Sequence, residues 1–168
     1  MFALMARSVA LLFVCGFVGT LAGCDRGTMM ANHQQDATWT VRSTSGPQAS
    51  FVHEVHTAAD VNQQGASAHP TVRFSVHQPI YVACVVRGVK EGDAHRLSVR
   101  WLLNGALAPV AGAHSSILVT RSGPVAFTLI YPLPGDGMAK LYWDEPVGDN
   151  NDAANDAFLA QAVAFTVQ

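Results

Sequence analysis

The chain carries seven histidines, and two of them sit in the run His53-Glu54-Val55-His56. A zinc-hydrolase helix needs His-Glu-x-x-His, because an i,i+4 spacing puts both imidazoles on one helical face. The spacing here is i,i+3. The surrounding pattern predicts a strand, where residues three apart face opposite ways, so joint chelation by His53 and His56 would require a helix or a loop. Met29, Met30 and His33 form a second candidate group, with thioether and imidazole donors suited to soft copper. A third group is acidic: Asp144, Glu145, Asp149, Asp152 and Asp156 alternate with Asn150, Asn151 and Asn155. That oxygen density could hold Ca²⁺, but it lacks the EF-hand order of a sixth-position glycine and a terminal glutamate. The segment is equally readable as a solvated loop, and it is the candidate binding loop of the chain.

Enzyme signatures are missing. There is no Gly-x-Ser-x-Gly elbow, no phosphate-binding Gly-x-x-x-x-Gly-Lys-Ser/Thr loop and no Cys-x-x-Cys pair. Ser67 and His69 lie close in sequence, but an Ala-rich loop gives no reason for the hydroxyl to be activated. Cys84 has no downstream His and Met at the short spacing that a blue-copper site uses. The expectation is therefore a non-enzyme with no cofactor. A net charge of −2 with 13% charged residues argues against nucleic acid as a partner. Three cysteines are too few for a disulfide-built mini-domain.

The elements that must position these groups are short strands. From Thr71 onward, β-rich runs recur with turn signals between them, the pattern of an all-β sandwich. Ile80, Val82, Cys84 and Val86 alternate on one face of Ile80–Arg87, and Leu97, Val99, Trp101 and Leu103 do so within Arg96–Leu103. Asn104-Gly105 is a tight-turn signal. Ser116–Arg121, Val125–Tyr131, Met138–Asp144 and Phe158–Val167 complete the set, with Val72–Val76 at its start, giving about seven strands. An alanine-rich stretch, Asp152–Ala164, is a helical competitor for the last run. Upstream, Thr38–Arg42 and Ser50–Thr57 could form a small hairpin. The expected organisation is residues 1–23, then 24–70 as a tether with that hairpin, then 71–168 as the sandwich. Residues 71–131 carry six Lys/Arg against two acids, whereas 132–168 carry Lys140 against six acids. The two parts either neutralise each other or steer a partner.

The N-terminus has a secretory layout: Arg7, an apolar run from Val9 to Val18, then small residues. Leu21-Ala22-Gly23-Cys24 resembles the lipobox of bacterial lipoproteins. The resemblance implies cleavage before Cys24, acylation of its sulfur, and a membrane as the first partner. Asp25 resembles the inner-membrane retention signal of enterobacterial lipoproteins and mildly favours that membrane over the outer one. Residues 71–168 are similar to the immunoglobulin-like sandwiches of bacterial envelope lipoproteins, with Cys84 inward on a second strand and Trp101 on the third. Leu141, Tyr142 and Trp143 stand where antibody-type domains place their second cysteine, so Cys84 is expected as a small buried hydrophobe. Together these readings lead to a lipid-anchored module of the bacterial cell envelope facing the periplasm and binding an envelope protein or glycan. The alternatives are an inhibitor or immunity lipoprotein acting on a periplasmic toxin or hydrolase, and copper or zinc handling through the His and Met groups.

Overall fold

Period-two alternation of apolar side chains arranges the chain as strands with one face each to bury. The structure, a computed structural model, describes residues 43–67, 69–146 and 156–168. Among these the strands are β1 (Ser43–Ser45), β2 (Val52–Ala58), β3 (Arg73–Phe74), β4 (Pro79–Val86) and β5 (His95–Leu103). They continue as β6 (Ala106–Leu107), β7 (His114–Val119), β8 (Gly123–Ile130), β9 (Gly135–Trp143) and β10 (Leu159–Val167). The larger sheet runs β1-β10-β9-β5-β6, with β7 also on β5 and β3 also on β10. The smaller sheet runs β2-β4-β8. Pairing is antiparallel throughout except for β3 on β10. This is the all-β immunoglobulin-like sandwich that the sequence predicts, with the additional strands mostly two or three residues long.

The core lies between the sheets. Ile80, Val82, Cys84 and Val86 of β4 and Leu97, Val99, Trp101 and Leu103 of β5 are buried, as their alternation requires. Ala139, Leu141 and Trp143 of β9 and Val163, Phe165 and Val167 of β10 join them. Each large aliphatic or aromatic side chain withdrawn in this way stabilises the fold by about 1.5–3 kcal/mol. At the centre, Phe165 meets Phe74, Trp101 and Tyr131 edge-on, with ring centroids 5.8, 6.1 and 5.6 Å apart. Tyr131, just after β8, donates its hydroxyl to the Leu102 carbonyl at 3.0 Å, tying the end of the smaller sheet to the larger. Asn104 and Gly105 take φ of 51° and 84° and join β5 to β6 by a two-residue turn, the conformation an Asn-Gly pair favours.

Two expectations are corrected. The sandwich does not start at Thr71: β1 pairs with β10 and β2 pairs with β4. Ser50–Thr57 supplies a strand of the smaller sheet; Thr38–Arg42, its expected hairpin partner, lies outside the described residues. The physical reason is that β2 is an edge strand of that sheet. It needs little hydrophobic content, and Val52, Thr57 and Ala58 supply the burial. The run at Val72–Val76 shortens to β3, held by bonds from the Thr166 amide to the Val72 carbonyl and from the Gln168 amide to the Phe74 carbonyl, 2.8 and 2.9 Å. The alanine-rich competitor resolves as a strand from Leu159, preceded by a 3₁₀ turn at Asp156–Phe158. The alternation of Val163, Phe165 and Val167 against the core overrides alanine's helical preference.

Cys84 is free and only 2% exposed. Burial pushes its thiol from 9.0 up to about 12, because a thiolate there would lose its hydration. A folded value above the unfolded one means that this contribution to stability is whole below pH 9 and is lost as pH rises through about 12. A thiol reagent should accordingly label native Cys84 only as fast as the protein unfolds. Cys84→Ala should cost about 1 kcal/mol at neutral pH and flatten the alkaline decline. Urea unfolding at pH 7 and pH 10.5, read by tryptophan fluorescence, checks both.

Candidate functional site

The histidine pair is reshaped by one irregularity of β2. Register with β4 slips between His53 and His56, so His53 opposes Val85 and His56 opposes Ala83. Glu54 takes φ 55° at the bulge. The extra residue cancels the odd spacing, and both histidines occupy positions on the same sheet face, contrary to the expectation for a regular strand. Each ring is engaged locally. His53 Nε2 donates to the Ser50 carbonyl at 3.0 Å and His56 Nδ1 donates to the Glu54 carbonyl at 2.7 Å. Glu54 itself pairs with Arg87 at 2.5 Å, both exposed. Among the described residues, no group of three His, Cys, Asp or Glu side chains is placed to hold a metal ion.

The acidic segment is anchored at its ends. Asp144, left-handed at φ 53°, accepts the Arg96 amide at 2.8 Å and the His95 Nδ1 proton at 2.8 Å. His95 stacks on Trp143 with centroids 4.9 Å apart, and Phe51 stacks on the same indole at 5.1 Å. Glu145 turns back over the outer face of the larger sheet. One of its oxygens accepts Arg100 Nη2 at 2.5 Å and the other accepts the Ser98 hydroxyl at 3.0 Å. Both charged side chains are nearly withdrawn from water, 12% and 9% exposed. Asp156, the last acid of the segment, lies 3.6 Å from Lys140 of β9. The opposite charges of residues 71–131 and 132–168 thus meet at Arg100–Glu145.

Sequence reasoning missed this outer face. Ser98, Arg100, Lys140 and Tyr142 occupy the polar phase of their strands, which reads as solvent-facing. Yet Ser98 is 2% exposed and Tyr142 is fully buried. The Arg100 guanidinium lies 5.4 Å from the Tyr142 ring centroid. Arg100 and Lys140 are direct cross-strand partners, a like-charge juxtaposition that is unfavourable unless anions relieve it. Glu145 and Asp156 do so. The one signal in the sequence was an aromatic, Tyr142, at an outward position. Tyr142's phenol is held neutral, pushed up to about 12 by burial and by the nearby Asp156 and Glu145 carboxylates, against the Arg100 charge. Cys24, Met29, Met30, His33, Asp149 and Asp152 lie outside the described residues.

No protein-family model matches the sequence, and no curated protein matches it. Solved structures similar to it include the PmoD soluble domain from Methylocystis sp. ATCC 49242 (Rockwell), 11% identical with TM-score 0.34, covering 70% of this chain and 90% of that one. A CARDB domain from Pyrococcus furiosus, solved in complex with di-metal ions, is 13% identical with TM-score 0.35 at the same coverage. Superoxide reductase (neelaredoxin) from Ignicoccus hospitalis is 17% identical with TM-score 0.33, covering 58% of this chain and 76% of that one. Scores this low leave the fold assignment resting on the sheets themselves. Among the described residues, no helix is long and apolar enough to cross a membrane.

Removing one partner of the Arg100–Glu145 pair strands a charge away from water. Glu145→Ala should therefore cost about 3 kcal/mol, while Arg100→Met with Glu145→Leu should recover most of the loss. Urea denaturation of the three proteins measures this, and a single-variant cost below about 1 kcal/mol would show that the pair behaves as a surface ion pair.

Proposed function

We propose that the protein is a lipid-anchored module of the bacterial cell envelope that faces the periplasm and binds an envelope partner rather than catalysing a reaction. The observation that carries this reading is Leu21-Ala22-Gly23-Cys24 placed just behind the apolar run Val9–Val18. A cysteine at that point gains a diacylglyceryl thioether and commonly an N-acyl chain. Two or three acyl chains hold a protein stably at a bilayer where one holds it only marginally. A sandwich supports such a role because its core fixes the strands while the connections between them are free to vary.

The contact is assigned to the connection between β9 and β10. One end is fixed by Glu145 on Ser98 and Arg100, and at the other Asp156 lies beside Lys140. Between them lie Asp149 and Asp152, which supply the negative charge for a basic protein surface or a cationic glycan.

Cys24→Ser tests the anchor. In cells fed radiolabelled palmitate, the wild-type chain should carry label and sediment with membranes, and the variant should lose both properties. Label retained by the variant, or wild-type chain free in the periplasmic fraction, would contradict the reading. In the same cells, Asp149→Asn with Asp152→Asn should leave anchoring intact while weakening cross-linking to the partner.

A further inference from the structure

An open hollow of about 350 Å³ on the outer face of the larger sheet is lined by Arg100, Leu102, Gly105, Leu107, Lys140 and Tyr142, among others. A second hollow of about 500 Å³ opens beside it, shares Leu102 and Gly105, and includes Met138 and Ala164 in its lining. Leu107, at the edge, is 39% exposed. The combined surface is apolar at Leu102, Leu107, Met138 and Ala164, with Arg100, Lys140 and Tyr142 in the first hollow and Arg73 and Asp136 in the second. In the first hollow stands a group with an unmet need: the Tyr142 hydroxyl is buried and has no hydrogen-bond partner. An orphaned buried donor of this kind is unfavourable and calls for an acceptor.

The two cations of the first hollow differ. Arg100 is committed to Glu145 in a pair that is nearly dry. Lys140 sits two residues before Tyr142 on β9, so both project from the same face. Its own partner, Asp156, is 3.6 Å away and 65% exposed, a screened contact of little strength. Asp156 opens a three-residue 3₁₀ turn. Its carboxylate occupies the position beside Lys140 that an incoming anion would take.

We infer that this hollow is a binding site for a small carboxylate ligand with a compact apolar body. The carboxylate replaces Asp156 on Lys140 and accepts the Tyr142 hydroxyl, while the body lies over Leu102 and Leu107. The site goes beyond the envelope-module reading and does not depend on whether Cys24 is acylated.

Hexanoate serves as the probe and hexanamide as its uncharged control, each titrated into the full isotopically labelled chain and followed by amide NMR shifts. Hexanoate should shift Arg100, Leu102, Gly105 and Lys140, and hexanamide should not. Inorganic phosphate, which has no apolar body, should bind at least about tenfold more weakly. Lys140→Gln and Tyr142→Phe should each weaken hexanoate about tenfold. Asp156→Asn should tighten it about threefold by removing the internal competitor. Equal shifts from hexanoate and hexanamide, shifts confined to another face, phosphate binding as tight as hexanoate, or weaker binding by Asp156→Asn would each overturn the assignment. The wild-type comparison of acid with amide stands even if a variant fails to fold.

Discussion

Phe165 can press against β9 only because residue 137 has no side chain. Gly137 is its cross-strand partner, and a Cβ built there would overlap the phenyl ring. From that seat the ring reaches Phe74, Trp101 and Tyr131 at once. Tyr131 brings the end of the smaller sheet with it, and Trp101 brings β5 of the larger one. The single cysteine among the described residues, Cys84, is free, so aromatic packing carries the inter-sheet connection that a disulfide supplies in antibody-type domains. Edge-on aromatic contacts add about 0.5–1.5 kcal/mol each beyond the area they bury.

With β5, β9 and β10 fixed by their inner faces, the outer face follows by alternation. Every core residue of β5 places a neighbour outside, so Trp101 and Val99 between them set Arg100. Leu141 sets Lys140 and Tyr142 in the same way. The larger sheet therefore holds an ion pair, a second cation and a neutral phenol at fixed spacing, although none of them contributes to the core. Glu145 and Asp156, at the two ends of the β9–β10 connection, supply the compensating acids.

Much of this was legible in the sequence, for a definite reason. β4 and β5 alternate cleanly because each separates core from outside, and Asn104-Gly105 announces a turn that only such residues adopt easily. Cys84 read correctly as buried because it shares the phase of Ile80 and Val82. What was not legible depends on distant residues or on backbone detail. β1 and β3 are two or three residues long and exist because β10 offers an edge. The bulge at Glu54, which brings His53 and His56 to one face, has no signature in residue type. Ser98 and Tyr142 look exposed until Glu145, 47 residues from Ser98, is seen to fold back over them.

The central claim is that the two sheets are held together through the aromatic cluster seated on Gly137. Gly137→Ala tests it most directly, with equilibrium urea unfolding as the measurement. The single variant should lose about 2–3 kcal/mol, the cost of forcing an extra carbon into a filled core. Adding Phe165→Leu should cost less in the Gly137→Ala background than in the wild type, since the smaller side chain relieves the overlap. A neutral Gly137→Ala, or strictly additive costs, would contradict the account.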